Sequence, residues 1–164
     1  MSKALEKVVN IAVLVACAAI IYQVGMSAYR SRVPSKVPPY TSGTLIRDNQ
    51  ELNLAAAHRT LILVTSSHCH FCQASIPSFK RLTEKAHSVG IRVIAAAAEE
   101  AKANEDYLRQ NGLHIDHVVA LLQSSLVIHG TPTLIVVDDR GRVIDSWQGM
   151  VDASSEAKIA SDLN

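Results

Sequence analysis

One run narrows the fold open to this chain more than any other. Thr60–Thr65 (TLILVT) is continuously apolar and rich in β-branched residues, the pattern of a strand buried on both faces. Such a strand needs a packed layer on each side, which points to an α/β arrangement. The following residues supply layers. After a polar turn, Ser66-Ser67-His68, a helix over about 69–88 puts Ile76, Phe79, Leu82 and Ala86 on one side, at spacings of three and four. Pro77 falls inside it and should kink it, and Gly90 ends it. Ile91–Ala96 reads as a second buried strand, and Glu99–Gln110 as an amphipathic helix closed by Asn111-Gly112. A short helix is expected over Ser124–Ile128 and a third strand over Thr133–Asp138. Asp139-Arg140-Gly141 turns the chain into a fourth strand, Val143–Trp147. A last helix, Asp152–Leu163, can be capped by Asp152 or Ser154. Ahead of the first strand, Leu45-Ile46, Asp48-Asn49 and Leu52 suggest a short hairpin. The order predicts a parallel βαβ unit joined to a terminal hairpin, in a central mixed sheet with helices on both faces.

Composition removes several classes of function. The 164 residues carry 16 basic and 15 acidic groups, and basic residues do not cluster beyond pairs such as Lys80-Arg81. With aromatics at only 4%, this excludes a nucleic-acid partner. An apolar content of 48% excludes a disordered chain. Three cysteines are too few to staple a domain of this size.

The mean hydropathy, +0.15, is high for a soluble domain, and the N-terminus explains much of it. From Val8 to Met26 only Asn10 and Gln23 interrupt the apolar character. A helix of that length spans about 28 Å, close to the hydrocarbon thickness of a bilayer. Residues 1–29 therefore read as a transmembrane anchor. A cleaved signal sequence, or lipidation at Cys17 in Leu14-Val15-Ala16-Cys17, are the alternatives. Lys3 and Lys7 before the segment and Arg30, Arg32 and Lys36 after it leave the orientation open by charge. Residues 30–42, with Pro34, Pro38 and Pro39, read as an extended linker. Residues 43–164 form the folded domain. From Val37 onward the chain holds 11 basic and 14 acidic residues, a mildly acidic body.

Cys69-His70-Phe71-Cys72 sits between the first strand and its helix. A helix N-terminus offers free N–H groups and partial positive charge, which stabilise a thiolate and should lower the pKa of Cys69. Two intervening residues let both sulfurs meet across one turn. Cys69 would then attack and Cys72, one turn deeper, would resolve the mixed disulfide. The same residues admit other readings. His68, Cys69, His70 and Cys72 are four nominal metal ligands, although neighbours in sequence do not easily surround one tetrahedral ion. The cysteines could also be structural thiols or a static disulfide. Haem attachment would need His where Gln73 stands. A second feature, Gly130-Thr131-Pro132-Thr133, opens the third strand. A Pro there need not break a sheet. A cis bond would expose the Thr131 backbone to an extended substrate segment, whereas a trans Pro would simply mark the strand start.

Strand, Cys69-x-x-Cys72 and helix, with Pro77 five residues on, resemble the thioredoxin superfamily. So does Gly130–Val143, which looks like its cis-Pro strand, turn and final strand. With the apolar segment, the chain is most similar to the membrane-tethered, TlpA-like thiol–disulfide oxidoreductases of the bacterial cell envelope. The resemblance implies a thioredoxin-like fold and a redox-active disulfide between Cys69, the nucleophile, and Cys72. It implies Pro132 as a cis-proline beside them and Thr131 as a hydrogen-bonding partner of substrate backbone. It implies no cofactor and no metal, a protein thiol or disulfide as substrate, and a membrane-embedded or soluble redox partner. It places a single-pass protein in the bacterial inner membrane, with its catalytic domain in the periplasm; the reductase direction is favoured, but a protonated His beside Cys69 would make the pair more oxidising, so the direction stays open. The chain departs from the pattern at His68, where Trp is usual, and at His70-Phe71, where Gly-Pro is usual; these three residues would modulate the pair. Leu63 stands where the buried strand acid is expected, and Ser75 where cytochrome-maturation members carry Glu.

A copper- or zinc-handling protein and a non-catalytic scaffold of a membrane complex are the competing functions. His129, three residues before Pro132, could approach the cysteines. His58, His87, His114 and His117 read as surface groups, Trp147 and Phe79 as core, and Glu99-Glu100 and Asp138-Asp139 as solvated ends.

Overall fold

A computed structural model describes residues 40–163, together with residues 13, 15–20, 22 and 23. The chain divides into two compact units, Met1–Pro34 and Ser35–Asn164. In the first unit the described residues are helical and exposed. Most of the expected anchor and most of the Pro-rich linker lie outside the described residues. Among the described residues no helix is long and apolar enough to cross a membrane.

The second unit is built on five strands: β1 (Arg59–Thr65), β2 (Arg92–Ala97), β3 (His117–Ala120), β4 (Thr133–Asp138) and β5 (Val143–Gln148). Three helices join them: α1 (His70–Ser88), α2 (Ala101–Gln110) and α3 (Ala153–Asp162). The spatial order is β3-β2-β1-β4-β5. β1 pairs in parallel with β2, and β2 with β3; β1–β4 and β4–β5 are antiparallel. The mixed sheet is thus as expected, and β4 has the bounds read from its sequence. α1 runs through Pro77. Gly90, just past its end, takes a φ of 76°, which costs a residue without Cβ nothing.

The layers differ from expectation. The β1-α1-β2 and β2-α2-β3 crossovers step the same way along the sheet, so with one handedness both helices cover one face. The packing agrees. Phe79, Leu82 and Ala86 of α1, Leu108 of α2 and Ile159 of α3 share one cluster with Leu61, Leu63, Val93, Ala95, Leu134 and Val136. The opposite face, Ile62, Val64, Ile94, Ala96, Ile135 and Val137, is covered by Ile46, Leu52, Leu54, Leu121, Leu126 and Ile128. No α-helix lies there among the described residues.

Three local expectations are corrected with it. The hairpin over 45–52 does not form. Asp48 and Asn49 instead accept backbone N–H groups of Leu54 and Leu52 at 2.9 Å, folding the segment into a loop that drops Leu52 and Leu54 into the core. The helix over 124–128 is absent; a 3₁₀ turn, Leu121–Gln123, precedes an irregular segment. β3 was not expected. The two irregular segments are stitched together by Asn49 Nδ2 donating to the Gln123 carbonyl (3.0 Å), Val127 N–H donating to Tyr40 Oη (2.8 Å), and Ser125 Oγ donating to the Arg47 carbonyl.

Candidate functional site

The site forms where β1 hands over to α1. Cys69 is the N-cap of α1, with extended backbone (φ −87°, ψ 112°), and its sulfur accepts the Cys72 N–H at 3.1 Å. A sulfur here does what a Ser or Asp oxygen does at other helix starts: it faces a free N–H of the first turn. That N–H meets whatever negative charge develops on Cys69 Sγ. Across the cleft, Cys69 Sγ–H donates to the Thr131 carbonyl at 3.3 Å. The Thr131–Pro132 bond is cis. Pro132 is buried, and its carbonyl accepts the Gly149 N–H at 2.9 Å, which ties the turn to the end of β5.

The two cysteines differ in surroundings. Cys69 is half-buried and Cys72 is fully buried in the helical core. Burial, and then the hydrogen bond with Cys69, push the Cys72 thiol far above its ordinary value. Both are free thiols in this structure.

Cys69, Cys72, Thr131 and Pro132 therefore come together. His68 and His70 do not join the cysteines as a ligand set, and Phe71 stays at the surface. His68 is exposed and pairs through Nδ1 with Ser67 Oγ at 3.1 Å. His70 is exposed and meets the Phe71 ring edge-on, centroids 6.0 Å apart. His129 is exposed. Among the described residues no three His, Cys, Asp or Glu side chains stand close enough to hold a metal ion. Ser75 is wholly buried; its hydroxyl donates to the Phe71 carbonyl (2.7 Å) and accepts the Val151 N–H (2.9 Å), bracing α1 against the end of β5.

Sequence reading missed one residue. Glu99 is not a solvated end. Its Oε1 accepts the Ser67 N–H at 2.7 Å and Asn104 Nδ2 at 2.8 Å, while Oε2 is buried with no partner among the described residues. Asn104, fully buried, accepts Thr65 Oγ–H at 3.1 Å. Burial works against the Glu99 carboxylate, but these donors outweigh it and hold its pKa below the ordinary value. The available signals were Asn104 on the buried side of α2 and Thr65 at the strand end, two polar groups needing partners.

A family model described as a thioredoxin-like domain matches residues 47–163. No curated protein sequence matches the chain. Solved structures resemble it over most of its length. The thioredoxin domain of a thiol-disulfide oxidoreductase from Bacteroides vulgatus aligns at 13% identity and TM-score 0.58, over 76% of this chain and 99% of that one. StoA from Bacillus subtilis aligns at 16% and 0.53, over 66% and 84%. A DsbF homologue from Corynebacterium diphtheriae aligns at 16% and 0.54, over 79% and 87%. At these identities the likeness is one of fold.

Proposed function

The chain belongs to the thioredoxin-like domain family, and we propose that it is a thiol–disulfide oxidoreductase that reduces protein disulfides through Cys69 and Cys72. The observation that carries this reading is the pairing of a half-buried sulfur, capping α1 at 3.1 Å from the Cys72 N–H, with a buried thiol one turn below it. Cys69 attacks a substrate disulfide. Its sulfur bonds to one substrate sulfur while the other leaves as a thiolate. Cys72 then attacks Cys69 Sγ, closing the Cys69–Cys72 bond and releasing the second substrate thiolate. The Thr131 carbonyl, held beside Cys69 by the Pro132 turn, lies where an extended substrate backbone would pair.

Reduction is the favoured direction because strong oxidants of this kind stabilise their reduced form as a thiolate. The burial of Cys72 works against a thiolate at that sulfur. The reading extends to a chain anchored in the bacterial inner membrane by its apolar segment, with the folded domain in the periplasm. The length of Val8–Met26 and the reactive cysteine pair support it.

The test is covalent trapping. Cys72→Ser, given a disulfide-bonded protein, should accumulate a mixed disulfide that a non-reducing gel resolves and dithiothreitol dissolves. Cys69→Ser should accumulate none. Equal labelling of both variants, or of neither, would end the proposal. For the anchor, the full chain should stay with membranes through an alkaline carbonate wash; release into the supernatant would contradict it.

A further inference from the structure

No acid reaches the thiols from the strand below them. Position 63 is Leu, buried in the same cluster as Cys72. An acid arrives from the β2–α2 connection instead. Glu99 is clamped under the loop that leads into Cys69, by the Ser67 N–H on one side and Asn104 on the other. Its second oxygen is buried without a donor, and no Lys, Arg or His forms an ion pair with it among the described residues. The charge is therefore neither neutralised by a cation nor fully screened by water, and its field extends further than that of a surface carboxylate. Tyr107, one turn beyond Asn104, marks how far. Its hydroxyl is buried without a partner, and its ring packs against the cluster that holds Cys72. Burial comes first in raising the Tyr107 pKa, then charge on Cys72, on Cys69 and on Glu99. One hydroxyl is thus within electrostatic reach of all three groups.

We propose that Glu99 is a positioning residue that keeps a fixed negative charge beneath the thiol loop and biases the Cys69–Cys72 pair toward giving up electrons. The inference rests on the exchange reading above. An anion near two sulfurs raises the energy of either thiolate and leaves the neutral disulfide untouched. Wherever the reduced pair carries a thiolate, its oxidation is thereby favoured. In the balanced reaction the dithiol loses two electrons and two protons and forms the Cys69–Cys72 bond. The substrate disulfide breaks, gains both, and leaves as two thiols. The titratable groups around this charge are Cys69, two residues beyond the Ser67 N–H that Glu99 accepts at 2.7 Å, His68, which bonds to Ser67 Oγ, and Tyr107 from α2.

The experiment compares the full chain with Glu99→Gln, Glu99→Met and Glu99→Asp, equilibrated in glutathione redox buffers and followed by thiol labelling. Gln keeps an oxygen for Ser67 and Asn104 and removes only the charge. Met removes charge and acceptor at similar length, so that one uncharged variant remains if the other does not fold. The uncharged variants should hold the reduced state more strongly, by about three- to ten-fold in the exchange equilibrium, at a pH above the ordinary cysteine value where a thiolate is present, and not below it. The pH at which Cys69 becomes half-alkylated should fall with it, and Asp should return both readouts to within about two-fold of the parent. A purely structural Glu99 would move neither readout in the Gln variant. An unchanged equilibrium, or a shift toward the oxidised state, overturns this inference while the parent couple still stands. A parent chain with no reversible couple overturns the exchange reading itself.

Discussion

The two faces of the sheet are sealed by different means. One is covered by three helices whose apolar residues recur every three or four positions, and Cys72 is packed among them. The other is covered by two irregular segments that each place a few large side chains, Leu52, Leu54 and Leu126 among them, and hold them with hydrogen bonds. The lesson concerns where chemistry can be mounted. A helix offers a free N-terminus and a rigid axis, so a thiol can cap it and a second thiol can sit one turn below at a fixed depth. Stitched loops offer burial but no such end. The proposed pair accordingly sits on the helical face, where Cys72 is packed, and the loop face carries neither cysteine.

The largest effect should be on activity alone. Cys69→Ser, which keeps an acceptor at the α1 N-cap, should abolish exchange with a disulfide-bonded protein and leave the unfolding midpoint nearly unchanged, as urea denaturation would show. A variant that still exchanges would break the assignment. Next comes the helical core. Phe79→Ala, in a site 1% exposed, should cost about 3–5 kcal/mol. On the loop face Leu54→Ala, in a site 0% exposed, should cost about 2–5 kcal/mol. The comparison is sharpened by kinetics: per folded molecule, Leu54→Ala should exchange at the parent rate, and a tenfold loss would show that the loop face does reach the thiols.

Smaller effects follow. Gly141 has a φ of +76°, and a Cβ there would run into the Ile46 carbonyl oxygen. Gly141→Ala should therefore loosen the segment around Ile46 at a cost of about 1–3 kcal/mol, seen as faster amide exchange at Ile46, whose N–H donates to the Gly141 carbonyl at 2.8 Å. The smallest concerns acid. Burial pushes the Asp116 carboxyl up, but the Val93 N–H (2.7 Å) and His87 (3.1 Å) outweigh it and hold its pKa below 3.8. Because the folded value is the depressed one, its stabilisation is present above pH 3.8 and is lost as pH falls through the folded value. Asp116→Asn, which keeps an acceptor for Val93, should flatten the acid limb of the stability curve; an unchanged limb would exclude this contribution.

This contrast also explains what the sequence disclosed. β1, β2, β4 and β5, and all three helices, were legible because each carries a periodic or continuous apolar pattern. The Cys69–Cys72 pair and the Thr131–Pro132 turn were legible because thiols at a helix start and a proline at a strand start are local signals. β3 was not, because four residues at a sheet edge, with only Val119 buried, are too few to show a period. The fold of 45–56 was hidden because Asp48 and Asn49 direct it through side-chain bonds that a hairpin pattern does not distinguish. Glu99 was hidden in a Glu99-Glu100 pair that reads as solvent-facing. Glu100 is exposed, whereas Glu99 turns inward to meet Ser67 and Asn104.

The central claim is that Cys69 and Cys72 form one redox couple. The most direct test is thiol titration of the full chain in detergent, with Cys17→Ala so that only these two sulfurs respond, across a graded series of glutathione ratios. The account requires a single reversible two-electron transition, absent when Cys69 is also replaced by Ala. Two independent one-thiol responses, or two thiols that stay free at every ratio, would contradict it.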